Sequence, residues 1–182
     1  GTNPVWHVPD LDAYYTPVQT HTHLTEALTL EINQAISHAV ADGMPFYAYM
    51  SHYAIHAPYE IDPRFSTNYP NLKGTTLGHA TLIEGIDKSL GDILQKLDDL
   101  HVAENTLVIF LGDNGAETPS TSSLPNPSAP LRGRKGTPYE GGTRIPFVVA
   151  WAKANAANSH QIRIPVPPNA HQDDLITIQD LY

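Results

Sequence analysis

The sequence predicts an α/β fold, with a mixed, mostly parallel sheet and helices on both faces. Segments with helical spacing of apolar residues alternate with short apolar runs, an order that stacks helices on a sheet. One of those runs, TLVIFLG at 106–112, is apolar on both faces, which suits a strand covered from each side. At 182 residues with 41% apolar content, the chain is also long enough to bury a core.

The elements follow in order. The opening GTNPVWHVPDLDAYYTP, rich in Pro and aromatics without a period, reads as irregular structure wrapped on a surface. From Thr22 onward Leu24, Ala27, Leu28, Ile32, Ala35 and Ile36 recur at helical spacing until Asp42-Gly43 and Pro45, predicting a helix over about 22–40. FYAYMS at 46–51 follows a breaker and reads as a buried strand. A loop runs from His52 to Gly74. A second helix places Ala80, Ile83, Ile86, Leu90, Ile93, Leu94 and Leu97 on one face and leads into the 106–112 strand. Residues 118–130, TPSTSSLPNPSAP, read as an exposed loop insertion, and RIPFVVAWA at 144–152 supplies a third strand.

Charge and composition exclude several functions. A net charge of −9 argues against a general nucleic-acid binder, which needs a basic face. No apolar run approaches the length of a membrane-spanning helix, which takes about 20 residues. With no Cys there is neither a disulfide nor a thiolate metal site, so cysteine usage gives no redox compartment.

In open α/β sheets ligands gather at the carboxyl ends of strands, and three clusters fall there or ahead of the next strand. Asp113-Asn114 after TLVIFLG offers a carboxylate and an amide oxygen, hard donors of the kind Ca²⁺ or Mg²⁺ prefers, although Asp-Asn-Gly is also a common turn. His52 and His56 follow FYAYMS; the intervening loop robs their i,i+4 spacing of metal-site meaning, and His56 is the better anion-facing donor or general acid. LRGRKGTPYEGGTRIP at 131–146 is a basic, glycine-rich cradle suited to sulfate or phosphate, with Lys135 its compact charge. It lacks the order of a P-loop. Glu140 and Arg144 read as a structural pair, Arg132 and Arg134 as solvated, and His21 and His23 as having no role in chemistry.

Taken in order, SHYAIHAPYE, LVIFLGDNG and LRGRKGTPYEGGTRIPFVVAWA give a chain that resembles the sulfatase family of the alkaline-phosphatase superfamily over roughly residues 22–182, and KGTPYEGGTRIP is similar to the family's lysine-loop signature. The resemblance implies an alkaline-phosphatase/sulfatase-like fold, here incomplete at both ends: a partial catalytic domain over 1–182 that lacks the N-terminal nucleophile half and a C-terminal subdomain. Asp180-Leu181-Tyr182 resembles the start of the family's Asp-Leu-Tyr-Pro-Thr stretch. By the same resemblance Asp113 and Asn114 are metal ligands, usually for Ca²⁺, and His56 and Lys135 hold the sulfate ester, with His56 near the leaving oxygen.

Family members carry a Cys-x-Pro-x-Arg motif whose Cys becomes a formylglycine nucleophile, after a pair of adjacent aspartates. Neither is in this chain. Ser128-Ala-Pro-Leu-Arg132 matches a Ser version on paper, but it follows the metal pair and carries Leu where the family has Ser or Thr. Asp98-Asp99 and Asp173-Asp174 also fall at the wrong places. The resemblance therefore implies sulfate-monoester hydrolysis, of aryl or carbohydrate esters, by the intact protein, with formylglycine expected upstream, this fragment alone inactive, and a secreted or periplasmic location. A phosphonate monoester or phosphodiester hydrolase and a non-catalytic binder of sulfated glycans are the alternatives.

Overall fold

A computed structural model describes residues 22–117 and 127–181, so the reading of the first 17 residues and of most of the 118–130 insertion lies outside the described residues. Helix α1 spans Leu24–Ala41. His23 caps it, its Nδ1 accepting from the Thr25 N–H at 3.3 Å. It ends where Gly43 turns to a φ of +66°, a conformation that stops a helix cheaply only at a residue without a Cβ. Helix α2 spans Gly74–Asp99. The two helices meet across small side chains: Thr29 donates to the Thr25 carbonyl at 2.6 Å, so its hydroxyl oxygen receives the proton of Ser89, also at 2.6 Å. Both hydroxyls are buried and satisfied.

Strands β1, Leu107–Leu111, and β2, Phe147–Trp151, form a two-stranded ladder with Leu107 opposite Trp151 and Leu111 opposite Phe147. The core lies between this ladder and the helices, where Ile36, Leu97 and Ala103 are buried among Ile32, Val40, Phe46, Ile93, Val108 and Ala152. Two short α-helices, α3 at Glu140–Thr143 and α4 at Ser159–Arg163, and three 3-10 turns at Ser66–Asn68, Ala103–Asn105 and Ile178–Leu181 complete the described elements. The Trp151 indole donates to the Ile164 carbonyl just beyond α4, tying that segment to the ladder. No helix among the described residues is long and apolar enough to cross a membrane.

Both long helices and the second and third strands stand where their periodicity put them. Three expectations about the sheet do not hold among the described residues. The ladder is antiparallel: the chain returns to the end where β1 stopped, with Gly112 N donating to the Pro146 carbonyl at 3.1 Å. Residues 46–51 form no strand: the segment finds no ladder partner, and Tyr47 and Tyr49 are exposed. Nor is β1 covered on both faces, for Val108 reaches the core while Leu107, Ile109 and Phe110 remain exposed.

Candidate active site

The turn after β1 presents Asp113, exposed, and Asn114, half-buried. Asn114 Nδ2 donates to Asp113 Oδ1 at 2.7 Å, which fixes the two side chains against each other and leaves Asp113 Oδ2 and the Asn114 amide oxygen without a hydrogen-bond partner among the described residues. This chemistry suits a hard divalent cation, yet two residues do not complete a coordination shell. Among the described residues no group of three or more His, Asp or Glu stands ready to complete it.

The lysine loop is built on backbone. Gly133 and Gly136 take φ of +83° and +81°, which only glycine adopts without strain. Thr137 closes the turn between them, its hydroxyl donating to the Arg134 carbonyl at 2.7 Å and accepting from the Arg134 N–H at 3.1 Å. Two further bonds bind the loop to the Asp113-Asn114 turn: Lys135 N to the Ala116 carbonyl at 3.1 Å and Gly115 N to the Gly142 carbonyl at 2.9 Å. The chains approach so closely that a Cβ on Gly115 would overlap the Gly141 carbonyl, and one on Gly141 would overlap the carbonyl of Gly133. Lys135 is thereby fixed at its backbone while its ammonium makes no ion pair or hydrogen bond among the described residues.

Neighbouring side chains divide into two kinds. Glu140 and Arg144 pair as expected, at 3.8 Å and in the open. Arg132 is exposed, as expected of a solvated residue, yet its guanidinium stands 3.7 Å over the Tyr139 ring and donates to the Tyr139 hydroxyl at 2.7 Å. The Ser128 hydroxyl donates to the Gly141 carbonyl at 2.9 Å, a strap on the loop.

His56 sits on a separate loop. Its Nδ1 and the Tyr53 hydroxyl both lie 2.7 Å from the Ala57 carbonyl; a carbonyl only accepts, so Nδ1 carries the proton and Nε2 is the nitrogen left for a ligand. The Tyr53 ring meets the imidazole edge-on at 5.5 Å. Near it, burial pushes the His52 imidazole below its ordinary value, and His52 Nδ1 is buried without a hydrogen-bond partner. Burial, and then the charge of Glu117, raise the Tyr59 phenol. The Asp113-Asn114 turn and Lys135 are thus joined directly, whereas no hydrogen bond or ion pair links His56 to either among the described residues.

One feature of this loop escaped the sequence reading. Asp62 is fully buried and is gripped by Arg64, whose Nε reaches Oδ1 at 3.0 Å and Nη2 reaches Oδ2 at 2.7 Å. Asp62 N donates to the buried Thr81 hydroxyl of α2 at 3.0 Å, Arg64 also meets Glu26 of α1 at 3.2 Å, and His23 lies 3.7 Å from Asp62. Burial by itself would raise the Asp62 carboxyl; the Arg64 hydrogen bonds outweigh it and hold the group below the ordinary range. Burial lowers His23, against the pull of Asp62. The staple pins the loop that carries His56 to both long helices. Its only signal in the sequence is Asp62-Pro-Arg64, too short to distinguish from a turn.

The described residues thus join an oxygen-donor turn to a glycine-rich loop whose lysine meets no carboxylate among them. The sulfatase profile matches residues 3–179, and the chain belongs to the sulfatase family. It is 36% identical over 146 residues to human N-acetylgalactosamine-6-sulfatase, covering 79% of this chain and 26% of that protein. It is 34% identical over 155 residues to a sulfatase of Formosa agariphila, covering 77% of this chain and 27% of the relative. An N-acetylgalactosamine-6-O-sulfatase of Bacteroides thetaiotaomicron is 32% identical over 126 residues, 64% of this chain and 24% of its own. Among solved structures, that of Ps i-CgsB in complex with k-i-k-neocarrahexaose superposes with a TM-score of 0.62 at 27% identity, over 71% of this chain and 28% of the other. That likeness gives the chain an α/β, alkaline-phosphatase-like fold. The chain spans about a quarter of the length of the relatives it matches.

Proposed function

We propose that the intact protein is a sulfuric ester hydrolase that cleaves sulfate monoesters, carbohydrate sulfates in particular. The observation that carries the reading is the backbone knot that ties the Asp113-Asn114 turn to a lysine with no counter-charge among the described residues. Such a lysine, held before substrate arrives, is a preorganised charge for a sulfuryl group whose oxygens gain negative charge as the ester breaks. Relatives named N-acetylgalactosamine-6-sulfatase and a structural neighbour solved with a neocarrahexaose favour carbohydrate over aryl esters.

The roles follow from the chemistry of each side chain. Lys135 binds the sulfuryl oxygens. His56, with Nδ1–H committed to the Ala57 carbonyl, aims Nε2 outward; in its charged form that nitrogen gives its proton to the leaving oxygen as the S–O ester bond breaks. Asp113 and Asn114 would contribute oxygen ligands to a Ca²⁺, with Mg²⁺ the alternative, and a bound cation supplies Lewis-acid polarisation of the sulfuryl group. By the family resemblance the nucleophile would be a formylglycine, for which these 182 residues offer no Cys precursor. The family resemblance favours a secreted or periplasmic setting.

The test is turnover of a panel of matched sulfate and phosphate esters by the intact, formylglycine-bearing protein. Hydrolysis of sulfate monoesters, reduced about 100-fold in kcat/KM by Lys135→Ala, supports the reading. Faster turnover of the phosphate or phosphonate members assigns the site to the alternative hydrolase class. No turnover of any ester, with binding of sulfated glycans retained, makes it a binder.

A further inference from the structure

Arg132, Arg134 and Lys135 share one loop, and none of them pairs with a carboxylate among the described residues. Arg64, Lys88, Arg144 and Lys153 each do. Of the ten Lys and Arg, six meet no carboxylate among the described residues, and three of those six share the lysine loop, with Lys73, Lys96 and Arg163 lying elsewhere. Arg132 differs from an ordinary surface arginine in being held still. Its guanidinium stacks 3.7 Å over the Tyr139 ring, Nη2 donates to the Tyr139 hydroxyl, and its own carbonyl accepts from Gly141 N at 2.8 Å. Stacking takes one face of the guanidinium out of water and fixes the plane of the fork. Its Nε and Nη1 hydrogens donate to no described group.

A planar fork fixed three residues from the sulfate-binding lysine is built to take a second anion. Resting on the sulfate-ester reading of Lys135, the geometry points to Arg132 as a subsite for another acidic group on the same substrate. The substrate class is then an acidic oligosaccharide that carries the reacting sulfate ester and, on a neighbouring sugar, a sulfate or carboxylate. Either group can accept charge-assisted hydrogen bonds from the N–H groups that Tyr139 leaves free. Tyr139 is a positioning residue, acting through Arg132.

The experiment compares kcat/KM of the intact protein on three probes: a monosulfated monosaccharide, a disaccharide with the same ester and a second sulfate, and its analogue with a uronic carboxylate. The wild-type protein prefers one or both disaccharides, and the preferred arm tells sulfate from carboxylate. Arg132→Gln lowers the ratio of disaccharide to monosaccharide about tenfold, through KM rather than kcat. Arg132→Lys, which keeps charge without the fork, gives an intermediate ratio, as does Tyr139→Leu. If Arg132→Gln does not fold, the Lys variant reads the same ratio. A ratio unchanged in these variants overturns the subsite and makes the stack merely structural. Lys135→Ala separates the two readings, because it lowers turnover of all three probes when the sulfate-ester site is correct and leaves them intact when that reading itself fails.

Discussion

The staple at Asp62 and the knot at Gly115 hold two loops by opposite means. In the staple, charge is buried and fully answered: Asp62 has no exposure and is met by Arg64, with Glu26 and His23 around the pair. In the knot, backbone amides and carbonyls hold everything together and the cations are left unanswered. The difference teaches where charge is free to act. An ion pair spent on holding a loop is unavailable to a ligand, whereas a loop held by its backbone keeps Lys135 and Arg132 for one.

Breaking the staple should have the largest effect. Asp62→Ala leaves the Arg64 guanidinium without its buried partner, and removal of one member of such a pair costs about 3–5 kcal/mol. Urea unfolding of the intact protein measures it. A loss well under 1 kcal/mol would place the pair among weak surface bridges and dissolve the contrast. In the knot, Gly115→Ala forces a methyl group onto the Gly141 carbonyl, and overpacking of this kind costs about 1–3 kcal/mol. Because the carbonyl belongs to the loop that carries Lys135, the variant should also lose turnover beyond its loss of stability, and full turnover would show that the knot does not position the lysine.

These two regions also differ in how far the sequence reveals them. The helices and both strands were legible because periodicity and apolar runs are local properties, as in Leu24 to Ile36 and in TLVIFLG. The ladder's direction was not, since it depends on where the chain from 112 to 146 returns. FYAYMS reads as a strand by composition, yet a strand exists only with a partner, and none is paired to it. In the candidate site the glycines and Lys135 stood out as a motif, and the backbone bonds make physical sense of their spacing. The stack of Arg132 on Tyr139 and the bond from Asp62 to Thr81 join residues 7 and 19 positions apart, which no local pattern announces.

The contrast sharpens with pH. Asp62 is held below the ordinary carboxyl value, so its contribution is present above the unfolded value, about 3.9, and is lost as pH falls through the depressed one. His23 and His52 are lowered by burial, so the unfolded chain binds protons more readily than the folded one as pH falls below about 6.5. Both act in the same direction, toward acid destabilisation, in two windows. Urea midpoints should fall between pH 7 and 5, and His23→Asn, which retains a cap acceptor for α1, should flatten that slope. Stability that instead rises as pH falls from 7 to 5 would mean that His23 is held charged against Asp62.

The smallest effect should come from a glycine outside the knot. Gly91 lies in the exposed part of α2, with nothing within 4 Å of where a Cβ would stand and no positive φ. Its cost is therefore entropic, the freedom a glycine loses on entering a helix, and nothing in the packing requires it. Gly91→Ala should raise stability by about 0.5–1 kcal/mol in the same urea titration. The sign matters more than the size. If Gly91→Ala stabilises while Gly115→Ala destabilises, glycine in this chain is demanded where two backbones touch beside Lys135 and merely tolerated on an open helix. Destabilisation at both would mean that α2 meets a partner across its exposed face, and the sensitivity at Gly115 would no longer be a mark of the site.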